Sequence, residues 1–169
     1  GYYYTSQDIY EMEIEKLFMR DWLMIARIEE FAEPGDYMTT EILGEPIIVC
    51  LNAQRELRAF ANVCKHRGAA VASGSGNLAS FSCPFHGWIY DLDGSLVSPS
   101  QPRGLPRLDI ESCSLSPVRL DTWGGCVFVC FDDQGPSLAE YMAADEFAES
   151  AAFMRPEDMR LVDRFTYEI

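Results

Sequence analysis

The sequence predicts a mainly β domain, an antiparallel sandwich or barrel with helices only at its N- and C-terminal margins. Three observations carry this. Short apolar or alternating runs fill the middle of the chain, turn residues separate them at close intervals, and helical spacing appears only on the flanks. On the first flank, Thr5 followed by Asp8 marks a helix start, and Tyr10, Ile14, Leu17 and Phe18 recur at helical spacing, which predicts an amphipathic helix over residues 6–20. Strands are expected over residues 22–28, 37–43, 46–51 and 57–63, divided by Glu33-Pro34-Gly35-Asp36, by Gly44-Glu45 and by the polar stretch 52–56. Residues 90–96 predict a hairpin, because Asp93-Gly94 supplies the positive backbone angles of a tight turn. A second hairpin pairs residues 118–121 with 127–131 across Thr122-Trp123-Gly124-Gly125. Between the hairpins, residues 98–108 hold three prolines and a glycine and are expected to be irregular. A second helix is expected over 137–150, and the alternation of Leu161, Asp163, Phe165, Tyr167 and Ile169 predicts a strand over 160–169. All 169 residues read as one domain with these flanking segments.

Composition narrows the function classes. Hydrophobic residues make up 48% and charged residues 24%, and no apolar run reaches the length of a membrane span, so a soluble protein without a membrane partner is expected. With 27 acids against 13 bases and a net charge of −14, the chain lacks the basic face that phosphate binding requires, so no nucleic-acid partner is expected. The acidity serves either solubility or the docking of a basic redox partner. Gly1-Tyr2-Tyr3-Tyr4 has neither the basic start nor the apolar core of a secretory signal. Six cysteines in that context read as reduced thiols or metal ligands, and the cytoplasm is the expected compartment.

The chemistry is concentrated in two short stretches, Cys64-Lys65-His66-Arg67-Gly68 and Cys83-Pro84-Phe85-His86-Gly87-Trp88. The chain has only two histidines, and each follows a cysteine by two or three positions. A 2Fe-2S cluster needs two ligands per iron, and two loops that each give one Cys and one His can supply both thiolates to one iron and both imidazoles to the other. Gly68 and Gly87 would let backbone N–H groups approach the sulfurs. A structural zinc ion accepts the same ligand types, although zinc modules usually keep their cysteines in one knuckle and their histidines together on a helix. Both metals remain open on spacing alone.

These two motifs resemble the Rieske signature of the ring-hydroxylating oxygenase α subunits. The opening helix, residues 22–27, Glu33-Pro34-Gly35-Asp36-Tyr37, Leu43-Gly44-Glu45-Pro46, Asn62-Val63 and residues 90–94 are similar in order and spacing to that family's N-terminal region, so the likeness covers essentially the whole chain. The resemblance implies a Rieske-type fold and a cluster held by Cys64, His66, Cys83 and His86. Arg67, Gly68, Gly87 and Trp88 would surround it. It implies electrons arriving from a ferredoxin or flavin reductase, a homotrimer, and a C-terminal catalytic domain with a mononuclear Fe(II), beginning near residues 160–169. Respiratory Rieske proteins carry an additional loop disulfide and a serine after the second glycine. Ala69, Phe85 and Trp88 stand at those positions here, so no such disulfide forms and the potential is expected toward the low end of the range, about −150 mV.

Smaller expectations follow. Cys50, Cys126 and Cys130 lie in apolar strand runs and read, with Cys113, as free thiols rather than ligands. Trp88 reads as packing over the cluster loop or as part of an electron path, Arg67 as a cluster neighbour or a docking charge, and Tyr2, Tyr3 and Tyr4 as a docking patch or a disordered end. Besides the oxygenase domain, a stand-alone Rieske ferredoxin and a zinc-stabilised interaction module are the rival readings.

Overall fold

The computed structural model describes residues 1–99, 109–143 and 145–165. Among them lie β1 (Leu23–Arg27), β2 (Asp36–Ile42), β3 (Glu45–Leu51), β4 (Leu57–Ala61), β5 (Ser75–Asn77), β6 (Phe81–Ser82), β7 (Ile89–Tyr90), β8 (Leu96–Ser98), β9 (Arg119–Trp123) and β10 (Cys126–Cys130). They form three antiparallel sheets, ordered β1-β10-β9, β4-β3-β2-β5 and β6-β7-β8.

Strand β3 shows why the sheets stack as layers. From Ile47 to Leu51 it is apolar at every position and buried throughout, as a strand covered on both faces must be. Successive side chains point to opposite faces. Ile48 and Cys50 enter a core with Phe60, Phe81, Trp88 and Tyr90, whereas Ile47, Val49 and Leu51 join Ala26, Phe31, Val127 and Val129 on the other side. Alternation continues through β10, whose Phe128 and Cys130 meet Trp22 and Leu138 in a third core. The middle sheet therefore separates a layer built by β1 and β10 from the small β6-β7-β8 sheet.

The expected mainly β antiparallel architecture is present, with several departures at its margins. The N-terminal helix is α1 (Gln7–Glu13) continued by a π-helical turn over Ile14–Phe18, and its N-cap is Ser6, without a side-chain capping bond, rather than Thr5. Of its apolar positions Tyr10, Leu17 and Phe18 stay exposed, Tyr10 by 48% and Leu17 by 51%, and Ile14 is half-buried. The helix expected over 137–150 is two helices, α2 (Leu138–Tyr141) and α3 (Asp145–Met154). Ser137 and Glu140 start α2 with a reciprocal capping box, and Leu138, Tyr141 and Met142 pack on the Trp22 core. That tertiary anchor, rather than helical periodicity, fixes the first turn. Residues 160–165 form no ladder. The Leu161 N–H donates to Glu29 Oε1, and the Met159 carbonyl accepts from the Arg27 guanidinium, so side chains take the place of a neighbouring strand. Residues 166–169 and most of the expected irregular excursion, 100–108, lie outside the described residues. Among the described residues no helix is long and apolar enough to cross a membrane.

β5 and β6 were not legible as strands, being three and two residues long and carrying Ser, Gly and Asn. Asp36 helps hold β5, accepting from Asn77 Nδ2 at 2.8 Å and from the Glu33 amide at 2.8 Å. The Asn77 bond first, then the backbone bond, hold its carboxyl below the ordinary value of 3.8. The stabilisation is thus complete above that value and is lost as pH falls through the lower folded one. Asp36→Asn should flatten the loss of thermal stability as pH falls below about 4, read by circular dichroism melts.

Candidate metal centre

Two loops of the same construction face each other at the end of the small sheet. The first follows β4, and the second is the loop of the β6–β7 hairpin. In each, the cysteine amide donates across the loop, Cys64 to the Ala69 carbonyl and Cys83 to the Trp88 carbonyl, both at 2.8 Å. In each, the glycine amide donates back to the cysteine carbonyl, Gly68 to Cys64 at 2.9 Å and Gly87 to Cys83 at 2.8 Å. Gly68 and Gly87 adopt φ of 75° and 70°, which closes both loops. Their own amides are spent on that closure.

The structure places the two predicted cysteines in one core and the two predicted histidines against each other. Cys64 and Cys83 are each 2% exposed, within the core that holds Phe81 and Tyr90. His66 and His86 lie at the partly exposed rim with ring centroids 4.6 Å apart, edge to face. The His66 Nδ1 is buried and has no hydrogen-bond partner. A buried, unpaired ring nitrogen is costly unless something else binds it. Burial, followed by the neighbouring His86 and Arg67, holds the His66 pKa below its ordinary value, which keeps the neutral ring that a metal requires.

The arrangement is a buried pair of thiols and a rim pair of imidazoles. Among the described residues, no three His, Cys, Asp or Glu side chains converge on a single-ion position. That layout suits a two-iron group with two ligands per metal better than one tetrahedral zinc ion. The remaining cysteines stand apart in character. All six are free of disulfides, Cys50 and Cys130 are buried, and Cys113 and Cys126 are half-buried. Burial, with the nearby Asp93 second, pushes the Cys50 thiol up to about 12, so it stays protonated toward the Leu92 carbonyl.

Of the expected surrounding residues, Trp88 is buried and stacks on His66, whereas Arg67 is exposed. Sequence reasoning missed three supporting residues. The Tyr90 hydroxyl lies 3.3 Å from Cys64 Sγ and accepts the Lys65 amide at 3.1 Å, which leaves its hydrogen for the sulfur. Burial first, then the Cys64 contact, raise the Tyr90 pKa, so it remains a donor. Asn62, 5% exposed, accepts the Val71 and Ala72 amides and donates to the Ala72 carbonyl, pinning the base of the first loop. Ser116 holds Lys65 Nζ at 2.6 Å. A buried Tyr or Asn must find partners, and this was the only sequence signal available for the first two.

Comparison with known proteins agrees with this geometry. Residues 21–113 match the family described as the Rieske [2Fe-2S] domain. The chain is 35% identical over 169 residues to the carnitine monooxygenase oxygenase subunit of Acinetobacter pittii (strain PHEA-2), covering 98% of this chain and 45% of that protein. It is 34% identical over 146 residues to the chlorobenzene dioxygenase subunit alpha of Cupriavidus sp. (strain PS12), covering 85% of this chain and 32% of that protein. A solved quaternary ammonium Rieske monooxygenase, described in terms of carnitine oxidation by gut microbiota and inter-subunit electron transfer, superposes with a TM-score of 0.88 at 33% identity, covering 97% of this chain and 45% of that one. The chain thus spans less than half the length of these relatives. With a matching signature, matching loops and a matching fold, the chain belongs to the Rieske [2Fe-2S] domain family.

Proposed function

We propose that Cys64 and Cys83 ligate one iron and His66 and His86 the other, and that the chain is the electron-relay domain of a Rieske oxygenase α subunit. The observation that carries the assignment is the pair of matched loops, which place two buried thiols behind two facing imidazoles, one with an orphaned Nδ1. When bound, the cluster supplies one-electron transfer at a potential set by its two neutral ligands. The chain's residues hold the cysteine sulfurs out of water, keep the His66 ring neutral and aim a Tyr90 hydrogen bond at Cys64. Both histidines lie in these loops, so the 169 residues hold no second pair for a two-His-one-carboxylate iron. Oxygen activation would fall to a catalytic domain beyond this chain, with electrons arriving from a ferredoxin or flavin reductase and leaving within a homotrimer. A stand-alone ferredoxin fits less well, because the likeness to oxygenase subunits extends over nearly the whole chain. Relatives named for carnitine and for chlorobenzene match at 35% and 34% identity, so the match assigns this chain no substrate. Six free cysteines fit a reducing cytoplasm.

A potentiometric titration tests the relay reading. A single one-electron wave near −150 mV is expected, on the order of the low end for such centres, and a clearly positive midpoint would contradict it. Tyr90→Phe should lower that midpoint. Its hydrogen bond favours the more negative reduced state, and a differential effect of about 1 kcal/mol converts, at about 59 mV per tenfold, to a shift on the order of 50 mV. An unchanged midpoint would show that the hydroxyl does not act on the sulfur.

A further inference from the structure

We infer that Trp88 is a positioning residue, which fixes the ring plane of His66 by stacking on it. The inference rests on the ligand assignment above. A histidine ring turns in broad wells about its last torsion, so a metal-bound ring needs a contact that fixes its plane. Here the His66 Nδ1 is buried and free of any protein partner, as a ring nitrogen kept for the metal would be, so the ring plane is set by what packs on its faces. What touches the ring is Trp88, nearly parallel at 11° with centroids 4.8 Å apart, and His86, edge-on at 74°.

The two contacts differ in rigidity. His86 is itself a proposed ligand at the rim, and its other neighbour is Phe85, at 4.2 Å and 60% exposed. Trp88 is 4% exposed and belongs to the core that includes Cys64, Cys83 and Phe81. Its carbonyl also accepts the Cys83 amide. One residue thus closes the second loop with its backbone and holds the histidine of the first with its side chain. A flat aromatic face aligns a ring, whereas an aliphatic side chain of similar bulk fills space without aligning it. This separates positioning from plain packing.

The test compares Trp88→Phe and Trp88→Leu in the full, cluster-loaded chain, reading iron and sulfide content and the electron paramagnetic resonance of the reduced state. Both variants are expected to keep their iron and sulfide, because the thiolates and loop backbone bonds are untouched. Phe should retain the wild-type g values, and Leu should displace and broaden them as the ring samples several planes. Wild-type g values in Trp88→Leu, or equal displacement in both variants, would overturn the inference. A second measurement needs no aliphatic variant. With ring-deuterated tryptophan, the reduced wild-type cluster should show a deuterium coupling that Trp88→Phe removes, although Trp22 and Trp123 remain labelled. Absence of that coupling in the wild type would also overturn it. A wrong ligand assignment would instead appear in the wild type itself, as missing sulfide or missing imidazole-nitrogen couplings.

Discussion

Cys64→Ala is expected to leave the chain with less than about a tenth of the wild-type iron and acid-labile sulfide, since a cluster with one of its four ligands missing is not retained. His66→Ala should do the same, by removing the buried Nδ1 that has no protein partner. The informative control is Cys50→Ala. Cys50 and Cys64 lie in the same core and are almost equally buried, at 0% and 2% exposure. Burial keeps Cys50 protonated, donating to the Leu92 carbonyl, whereas Cys64 faces the Tyr90 hydroxyl and sits in the loop opposite Cys83. Cys50→Ala should therefore bind iron and sulfide as the wild type does, at a small cost in packing. Equal loss in Cys50→Ala and Cys64→Ala, by colorimetric iron and sulfide assay, would show that the cysteines act only through the core.

Gly94→Ala is expected to destabilise the fold by about 2–4 kcal/mol and lower the melting temperature by roughly 10 °C. The turn between β7 and β8 requires φ of +79° at this position. An added Cβ would lie 2.6 Å from Phe60 Cε1 and 2.8 Å from Cδ1. Phe60 is 4% exposed and packs in the core with Cys64 and Tyr90, so it has no room to swing aside. Gly68→Ala separates the two causes. Its φ is similar, at +75°, but its Cβ would meet nothing within 4 Å, so it should cost only about 1 kcal/mol. Equal losses in both variants, by calorimetry, would assign the effect to backbone conformation alone.

The four ligand candidates were legible because the chain has only two histidines and each sits beside a cysteine at short spacing. The longer strands were legible for a related reason: runs such as Ile47–Leu51 are apolar in unbroken sequence. β5 and β6 were hidden because strands this short carry no periodicity and form only when a partner strand is supplied. Tyr90 and Asn62 were hidden because they act across distance, Tyr90 on a residue 26 positions away and Asn62 on amides 9 and 10 positions away. Gly68 and Gly87 were legible by position beside the ligands, and the positive φ that closes each loop favours a residue without a side chain. The split between α2 and α3 was invisible because burial of Leu138 against Trp22, and not local spacing, decides where the first turn is held.

The most direct test combines metal analysis with electron–nuclear double resonance on the reduced wild-type chain. The account predicts two irons and two sulfides per chain, with hyperfine couplings from two imidazole nitrogens. Zinc without sulfide, or an iron–sulfur cluster without nitrogen coupling, would contradict it.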